Sequence, residues 1–117
     1  MLLNLLRTSA FAVALLALGA CGNGVGIDGP VVGGDCVVSS QCAHESRCLT
    51  GTAYPDGYCA KSCDSNDECP AGSACVQREG GVCLLTCASA AECREGYECI
   101  EIDARGAAGT AAVCATR

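Results

Sequence analysis

The hydrophobic residues of this chain fall into two different patterns, and the first is a single block near its start. Residues 8–20 are uncharged, with an apolar centre at Ala10–Leu18, and Arg7 precedes them as the one positive side chain. This order is typical of an export signal and predicts a signal helix. The apolar run is shorter than the roughly 20 residues that a membrane-spanning helix needs. We therefore interpret residues 1–20 as a signal peptide rather than a permanent membrane span.

Beyond residue 21 the apolar stretches are short and interrupted, and cysteine is the residue that recurs with a regular spacing. From Cys36 the intervals are five, five and ten residues, then five, five and seven, then five, five and fourteen, with three residues between sets. They define a cysteine-rich domain, 36–117, of three tandem four-cysteine repeats over 36–62, 63–86 and 87–117. Five-residue intervals are too short for helices, so we expect short strands and turns with little regular secondary structure.

Glycines recur at two places in this pattern. Gly72 and Gly96 lie three residues after the second cysteine of their repeats, where a turn with positive φ is expected, and Glu45 takes that place in the first repeat. Gly57 and Gly81 precede the last cysteine and indicate the start of a returning strand.

Large apolar side chains are too few after the leader to build an ordinary core. The chain has no Trp, its one Phe lies in the leader, and its aromatic residues beyond that are Tyr54, Tyr58 and Tyr97. A chain of this size cannot offset its conformational entropy with so little burial. Twelve of the thirteen cysteines lie in 36–117, which is a density typical of small disulfide-rich exported proteins.

The thirteenth cysteine, Cys21, ends the segment Leu18-Gly19-Ala20-Cys21. This segment resembles the lipobox of bacterial lipoproteins, in which the cysteine thiol receives a diacylglycerol and cleavage occurs before the cysteine. The alternative is an ordinary secretory signal, which would leave one unpaired thiol in an oxidising compartment. We therefore predict lipidation, palmitate included, at Cys21, and interpret residues 1–20 as a lipoprotein signal peptide. Stable membrane anchoring needs more than one acyl chain, which a lipoprotein anchor supplies.

The segment between the anchor and the first repeat, residues 21–35, is rich in glycine. We expect a flexible lipidated tether with a span on the order of 20 Å. The expected location is the bacterial cell envelope, periplasmic or surface-exposed. Gly22, where an Asp would be a retention signal of the enteric kind, slightly favours the outer membrane.

Charge and residue types argue against several functions. The net charge is −6 and the basic residues are scattered singly, so there is no basic stripe for nucleic acid. His44 is the only histidine and lies in no nucleophile motif, so we expect no enzyme activity and no cofactor. The cysteine intervals lack the close pairs of a zinc site.

One weak calcium candidate lies in the second repeat, because hard cations prefer clustered oxygen ligands. Its oxygen-bearing side chains are Asp64, Asn66, Asp67 and Glu68. A solvated turn explains the same residues, and the third repeat lacks most of them.

The third interval of each repeat is the one that varies in length, at Leu49–Tyr58, Val76–Val82 and Ile100–Val113. Variable loops on a fixed scaffold are common recognition elements, so these loops are candidates for contact with a protein or glycan partner. They could equally tolerate insertion without binding. The tandem order predicts a short rod in which each repeat touches only its neighbours.

Two segments carry a resemblance to a known family: CDSNDECPAGSACVQREGGVC, from Cys63 to Cys83, and CASAAECREGYEC, from Cys87 to Cys99. Their spacing, with an acidic residue before the second cysteine, resembles the first four cysteines of the Dickkopf N-terminal cysteine-rich domain. Similar repeats occur in exported lipoproteins of myxobacteria. The further cysteines of a Dickkopf domain do not follow in order, so Wnt antagonism is not carried over. The resemblance implies a small extracellular disulfide module that binds or adheres.

Four cysteines allow three pairings, and the spacing alone does not choose among them. The resemblance implies first-to-third and second-to-fourth bonds. That pairing also keeps one loop of each repeat constant in length, while first-to-fourth pairing is the runner-up. The favoured pairs are Cys36–Cys48, Cys42–Cys59, Cys63–Cys75, Cys69–Cys83, Cys87–Cys99 and Cys93–Cys114.

Three functions fit these features. The first is a membrane-anchored interaction module, and the alternatives are a protease-inhibitor-like protein, using the loop Leu49–Tyr58 or Val76–Val82, and a purely structural envelope protein. The anchor favours the first, because it holds the protein on its own cell.

Overall fold

A computed structural model describes residues 22–117 and shows a small disulfide-rich fold. Each repeat has the same plan, in which a single 3-10 turn is followed by a two-stranded antiparallel hairpin. The predicted signal helix and Cys21 lie outside the described residues. Within residues 22–117, no helix is long and apolar enough to cross a bilayer. The strands are β1 (Ser46–Leu49), β2 (Tyr58–Lys61), β3 (Ser73–Val76), β4 (Val82–Leu85), β5 (Glu98–Asp103) and β6 (Thr110–Ala115), and the 3-10 turns are Ser39–Gln41, Asn66–Glu68 and Ala90–Glu92.

The third and fourth cysteines of each repeat lie directly opposite each other on the two strands of the hairpin, as Cys48 and Cys59 do. Neither bonds to its neighbour across the hairpin. Each instead reaches a cysteine beside the 3-10 turn, so two bonds clamp that turn against the hairpin. The Cα–Cα distances are 5.5 to 6.0 Å, which is ordinary disulfide geometry. The pairs are the ones that the sequence analysis favoured: Cys36–Cys48, Cys42–Cys59, Cys63–Cys75, Cys69–Cys83, Cys87–Cys99 and Cys93–Cys114.

The turn glycines adopt the conformation expected for them. Gly72 and Gly96 have φ of 89° and 90°, which side chains other than glycine rarely adopt. Gly57 is restricted further, because a Cβ on it would lie 1.8 Å from the Cys36 carbonyl oxygen. A glycine therefore precedes β2, because the start of the repeat passes directly beside this position.

The predicted rod is wrong, because the first and third repeats are in direct contact. One apolar core runs through all three repeats, and Tyr58, Leu84 and Val113 are among its fully buried members. The Tyr58 ring of the first repeat lies 5.4 Å from the Tyr97 ring of the third. The Tyr58 hydroxyl accepts a hydrogen bond from the Leu85 amide of the second repeat at 2.9 Å. With so few large side chains, the repeats bury enough surface only by sharing them.

The expected flexible tether is also wrong for most of its length. Val32 is completely buried in the common core. The Gly33 amide donates to the Cys59 carbonyl at 2.8 Å, and the Cys59 amide donates to the Gly34 carbonyl at 2.9 Å. A Cβ on Gly33 would lie 2.3 Å from the Gly26 carbonyl oxygen. The glycines that indicated flexibility thus allow a tight loop that packs beside β2.

Replacement of Val32 by alanine tests this packed loop. Loss of two methyl groups at a closed site is expected to lower the free energy of unfolding by about 2 kcal/mol. The same change at Val37, which is 77% exposed, is the matched control and is expected to stay within about 0.5 kcal/mol. Denaturant unfolding with the disulfides intact measures both. Equal effects of the two substitutions on the free energy of unfolding would indicate that the segment is a flexible tether after all.

Candidate functional site

A cleft with a volume of about 860 Å³ lies on the first repeat. We call it the first-repeat cleft. The loop before Cys36 forms one side, the segment after β1 forms another, and the third repeat closes the end. It is lined by Ile27, Asp28, Asp35, Cys36, Val37, Gln41, Thr50, Gly51, Tyr54, Asp56, Gly57, Cys93, Arg94 and Glu95.

Exposed large apolar side chains are concentrated at this cleft. Among residues 22–117 they are Ile27, Val37 and Val38, with 48%, 77% and 52% of their surface exposed. Ile27 and Val37 line the cleft, and Val38 adjoins it. Isolated exposed apolar residues are ordinary, but a group of them at a cleft marks an interaction site.

The cleft also carries unpaired negative charge. Asp28, Asp35, Asp56 and Glu95 are all exposed there. The salt bridges within residues 22–117 involve other groups: Lys61–Glu45, Arg105–Asp64 and Arg117–Glu98. A cleft with several carboxylates and no ion pair attracts cationic groups.

The one cationic side chain of the cleft, Arg94, is turned toward the protein. Its guanidinium lies 4.9 Å from the centre of the Tyr97 ring and 5.6 Å from that of Tyr58, within cation–π range. It also donates a hydrogen bond to the Gly57 carbonyl. The Tyr97 hydroxyl donates to the Pro55 carbonyl at 2.9 Å. Arg94 therefore joins the third repeat to the first and forms the base of the cleft.

The tyrosines of this region are expected to ionise at unusually high pH. Burial, assisted by the nearby Glu79 carboxylate, raises the pKa of Tyr54 to about 12, and burial raises the pKa of Tyr58 and of Tyr97 as well. Because the unfolded chain loses these protons near pH 10, the neutral tyrosines stabilise the fold fully below pH 10 and their contribution falls between about pH 10 and 12. Absorbance titration near 295 nm measures this. Tyrosine midpoints near 10 in the folded protein would contradict it.

The variable third intervals are used in large part for contacts between repeats. The Tyr54 hydroxyl, in the first interval, donates to Glu79 in the second at 3.1 Å. Arg78, also in the second, donates to the Thr116 carbonyl at 2.6 Å, and the Gln77 amide donates to the Asp103 carbonyl at 2.8 Å. The lengths of these intervals therefore differ partly because each one spans a different junction.

The residue before the second cysteine has a structural role in every repeat. Its side-chain oxygen accepts hydrogen bonds from backbone amides just after the first cysteine. The three residues are Gln41, Glu68 and Glu92. Their recurrence in the sequence reflects this brace, which holds the 3-10 turn.

The calcium candidates of the second repeat have partners within the protein. Arg105 forms an ion pair with Asp64 at 3.1 Å, and the Cys75 amide donates to Asn66 at 3.2 Å. The Ser65 hydroxyl donates to Asp67, which lowers the pKa of that carboxyl. Asp64, Asn66, Asp67 and Glu68 therefore all have partners within the fold. Within residues 22–117, their carboxylates are not among the groups that lie close enough to share a metal ion.

Within residues 22–117, three clusters of cysteines have ligand atoms that lie close enough together to share a metal ion. Their sulfurs are joined in disulfides and are not thiolate ligands. His44 is exposed and lines a smaller groove with Glu45 and Lys61.

Sequence reasoning did not find the cleft, although one signal was present. Val37 follows the first cysteine of its repeat, where the second repeat has Asp64 and the third has Ala88. A large apolar residue at an otherwise small or polar position is unusual in an exposed turn. Arg94, Asp28 and Asp35 carried no signal, because their roles depend on contact between repeats.

No family model matches this chain, and no curated protein or solved structure shows significant similarity to it. The resemblance to Dickkopf repeats and to bacterial lipoproteins therefore stays a prediction.

Proposed function

We propose that this protein is a lipid-anchored binding module of the bacterial cell envelope, without enzyme activity, that contacts a partner through the first-repeat cleft. The observation that carries the proposal is the coincidence of exposed apolar side chains and unpaired carboxylates at the first-repeat cleft. Two residues of its lining, Cys36 and Cys93, are disulfide-bonded to Cys48 and Cys114. A rigid site of this kind loses little conformational entropy when it binds.

The anchor at Cys21 would hold this module close to the bilayer. The Asn23 side chain donates to the Ala71 carbonyl at 2.7 Å, and its own amide oxygen accepts from the Val25 backbone at 3.3 Å. The chain is thus fastened to the second repeat two residues after the proposed lipid. The domain then has a defined orientation near the membrane, which suits a protein that presents one site to a partner.

A protease inhibitor of the loop-insertion kind is less well supported. Such a loop has to project, whereas Tyr54 in the first interval is buried against Tyr58 and Glu79, and Arg78 in the second is tied to Thr116. Both loops are held against other repeats at their centres. A purely structural role gives no reason for an exposed apolar group at a charged cleft.

The anchor is tested by metabolic labelling with a fatty acid. We expect label in the wild-type protein and none in Cys21→Ser, which should also leave the membrane fraction. Equal labelling and membrane retention of both proteins would show that Cys21 is not the site of lipidation.

The contact surface is tested by photo-crosslinking in the native cell envelope. A benzophenone amino acid in place of Val37 is expected to give one discrete crosslinked product that is lost when Asp35→Asn and Asp56→Asn are added. The same probe in place of Ala107, an exposed residue of the third repeat, is the matched control and is expected to give none. Equal crosslinking from both positions would overturn the assignment of the cleft.

A further inference from the structure

We propose that the outer edge of β1 accepts an extended basic segment of a partner protein as an added antiparallel strand within the first-repeat cleft. This rests on the proposed function, since it names the partner chemistry of the same cleft. Addition of a strand to an open sheet edge is a general mode of peptide binding, in which main-chain hydrogen bonds give affinity and side chains give specificity.

The protein already contains this interaction once, in its second repeat. There the segment 103–105 of the third repeat pairs with the outer edge of β3 through an antiparallel bridge between Val76 and Ala104. The Gln77 amide donates to the Asp103 carbonyl at 2.8 Å, and the Arg105 amide donates to the Cys75 carbonyl at 3.0 Å. The outer edge of this type of hairpin is therefore able to accept an extended segment.

The equivalent edge in the first repeat is formed by Cys48 and Thr50. Cys59, opposite Cys48, directs both its amide and its carbonyl to Gly33 and Gly34, away from β1. In an antiparallel pair of this kind, Cys48 also directs its amide and its carbonyl away from the partner strand. The Cys48 amide donates to the Ser39 hydroxyl at 3.1 Å, as the Cys75 amide does to Asn66. Within residues 22–117, the Cys48 carbonyl and the Thr50 amide have no hydrogen-bond partner.

Thr50, one of the two residues of this edge, lines the first-repeat cleft together with Gly51 and Gly57. The corresponding groove of the second repeat has a volume of about 210 Å³. There Arg105 passes over Gly81, where an added Cβ would lie 2.5 Å from the Arg105 Cδ atom. The occupied edge thus leaves a small groove, and the unoccupied edge leaves a cleft of about 860 Å³.

The lining of the cleft defines the chemistry of the segment. Arg105 pairs with Asp64 in the second repeat, and Val37 stands at the position of Asp64 in the first. We therefore expect the partner segment to place an apolar side chain beside Val37, at the position that corresponds to Arg105 in the second repeat. Around it lie Asp28, Asp35, Asp56 and Glu95, which favour lysine or arginine at nearby positions. The occupant is an extended segment in which an apolar residue is flanked by basic ones.

The test uses three blocked hexapeptides and the oxidised full chain carrying Cys21→Ser in a mild detergent. The first peptide alternates valine with lysine, and the second replaces each lysine by glutamate. The third has the valine–lysine sequence with every other backbone amide N-methylated, and it is made in both possible registers of methylation. Binding is followed by amide NMR. We expect the valine–lysine peptide to shift the Thr50 amide and to slow its hydrogen exchange at least about tenfold at saturation. The glutamate peptide and one methylated register should bind at least about tenfold more weakly.

Matched variants separate charge from backbone pairing. Asp56→Asn is expected to weaken the valine–lysine peptide several-fold, and asparagine suits the φ of 59° at this position. Asp103→Asn, also exposed but outside the cleft, is the control and should leave binding unchanged.

Three results would overturn the inference. Peptide binding without any change in Thr50 hydrogen exchange would place the peptide on the cleft walls rather than on the strand edge. Failure of every peptide, with a partner still crosslinked at Val37, would refute strand addition while the binding function stands. Protection of Thr50 that rises with protein concentration in the absence of peptide would identify a second copy of the chain as the occupant.

Discussion

Reduction of the six disulfides is expected to unfold the protein completely. A disulfide that closes a loop of about 15 residues contributes roughly 3 kcal/mol by limiting the unfolded chain, and the six bonds here have sequence separations of 12 to 21 residues. Together they exceed the roughly 5–15 kcal/mol by which a typical domain is stable. The shared core cannot replace them, because Tyr58 and Leu84 are the largest of its fully buried side chains.

Amide NMR spectra in excess reductant measure this effect. We expect dispersed amide signals in the oxidised protein and collapse to an unfolded spectrum on reduction. Alkylated protein should give the same collapsed spectrum, which excludes interference by the reductant itself. Dispersed native-like signals from the fully reduced chain would contradict the prediction.

Replacement of Tyr58 by alanine is expected to have the largest effect of any single change outside the cysteines. The side chain is 1% exposed, contacts Tyr54 and Tyr97, and accepts a hydrogen bond from Leu85. Removal of a buried aromatic side chain costs about 3–5 kcal/mol. Tyr58→Phe keeps the ring but leaves the Leu85 amide unpaired, which costs about 1–3 kcal/mol.

A double-mutant cycle shows whether this cost comes from contact between repeats. Tyr58→Ala and Tyr97→Ala, measured singly and together by denaturant unfolding, are expected to be coupled by about 0.5–1.5 kcal/mol, as aromatic pairs at this distance are. Thr52→Ala, at an exposed loop position, is the control and should be neutral. Additive effects of the two tyrosine changes would mean that the rings do not interact.

The local structure of each repeat could be predicted from the sequence, because cysteine geometry leaves few choices over such short intervals. Repeated intervals of five, five and a variable number of residues predicted three equivalent modules, and Gly72 and Gly96 marked their turns. These features depend on residues close in the chain. The favoured disulfide pairs agree with the structure. The spacing alone left first-to-fourth pairing open, and the preference came from the resemblance to Dickkopf repeats and from the constant length of the first-to-third loop.

The arrangement of the repeats could not be predicted, because it depends on residues without a repeated position. Tyr58, Tyr97 and Arg94 meet at one point, yet they occupy different places in their repeats. The glycines of residues 22–35 were misread for a related reason, since glycine is common both in flexible chain and in tight packed loops. Neither the cysteine spacing nor the composition predicted the first-repeat cleft. Its walls come from the packed N-terminal loop and from the contact between the first and third repeats.

The central claim is that the first and third repeats pack together and so create the cleft, and nuclear Overhauser contacts between the Tyr58 and Tyr97 rings test it most directly. Their ring centres lie 5.4 Å apart. In the oxidised full chain we expect ring-to-ring cross-peaks as strong as those between Tyr54 and Tyr58, whose centres are 6.3 Å apart. Tyr54–Tyr58 cross-peaks without any between Tyr58 and Tyr97 would indicate a rod of separate repeats, and the claim would be wrong.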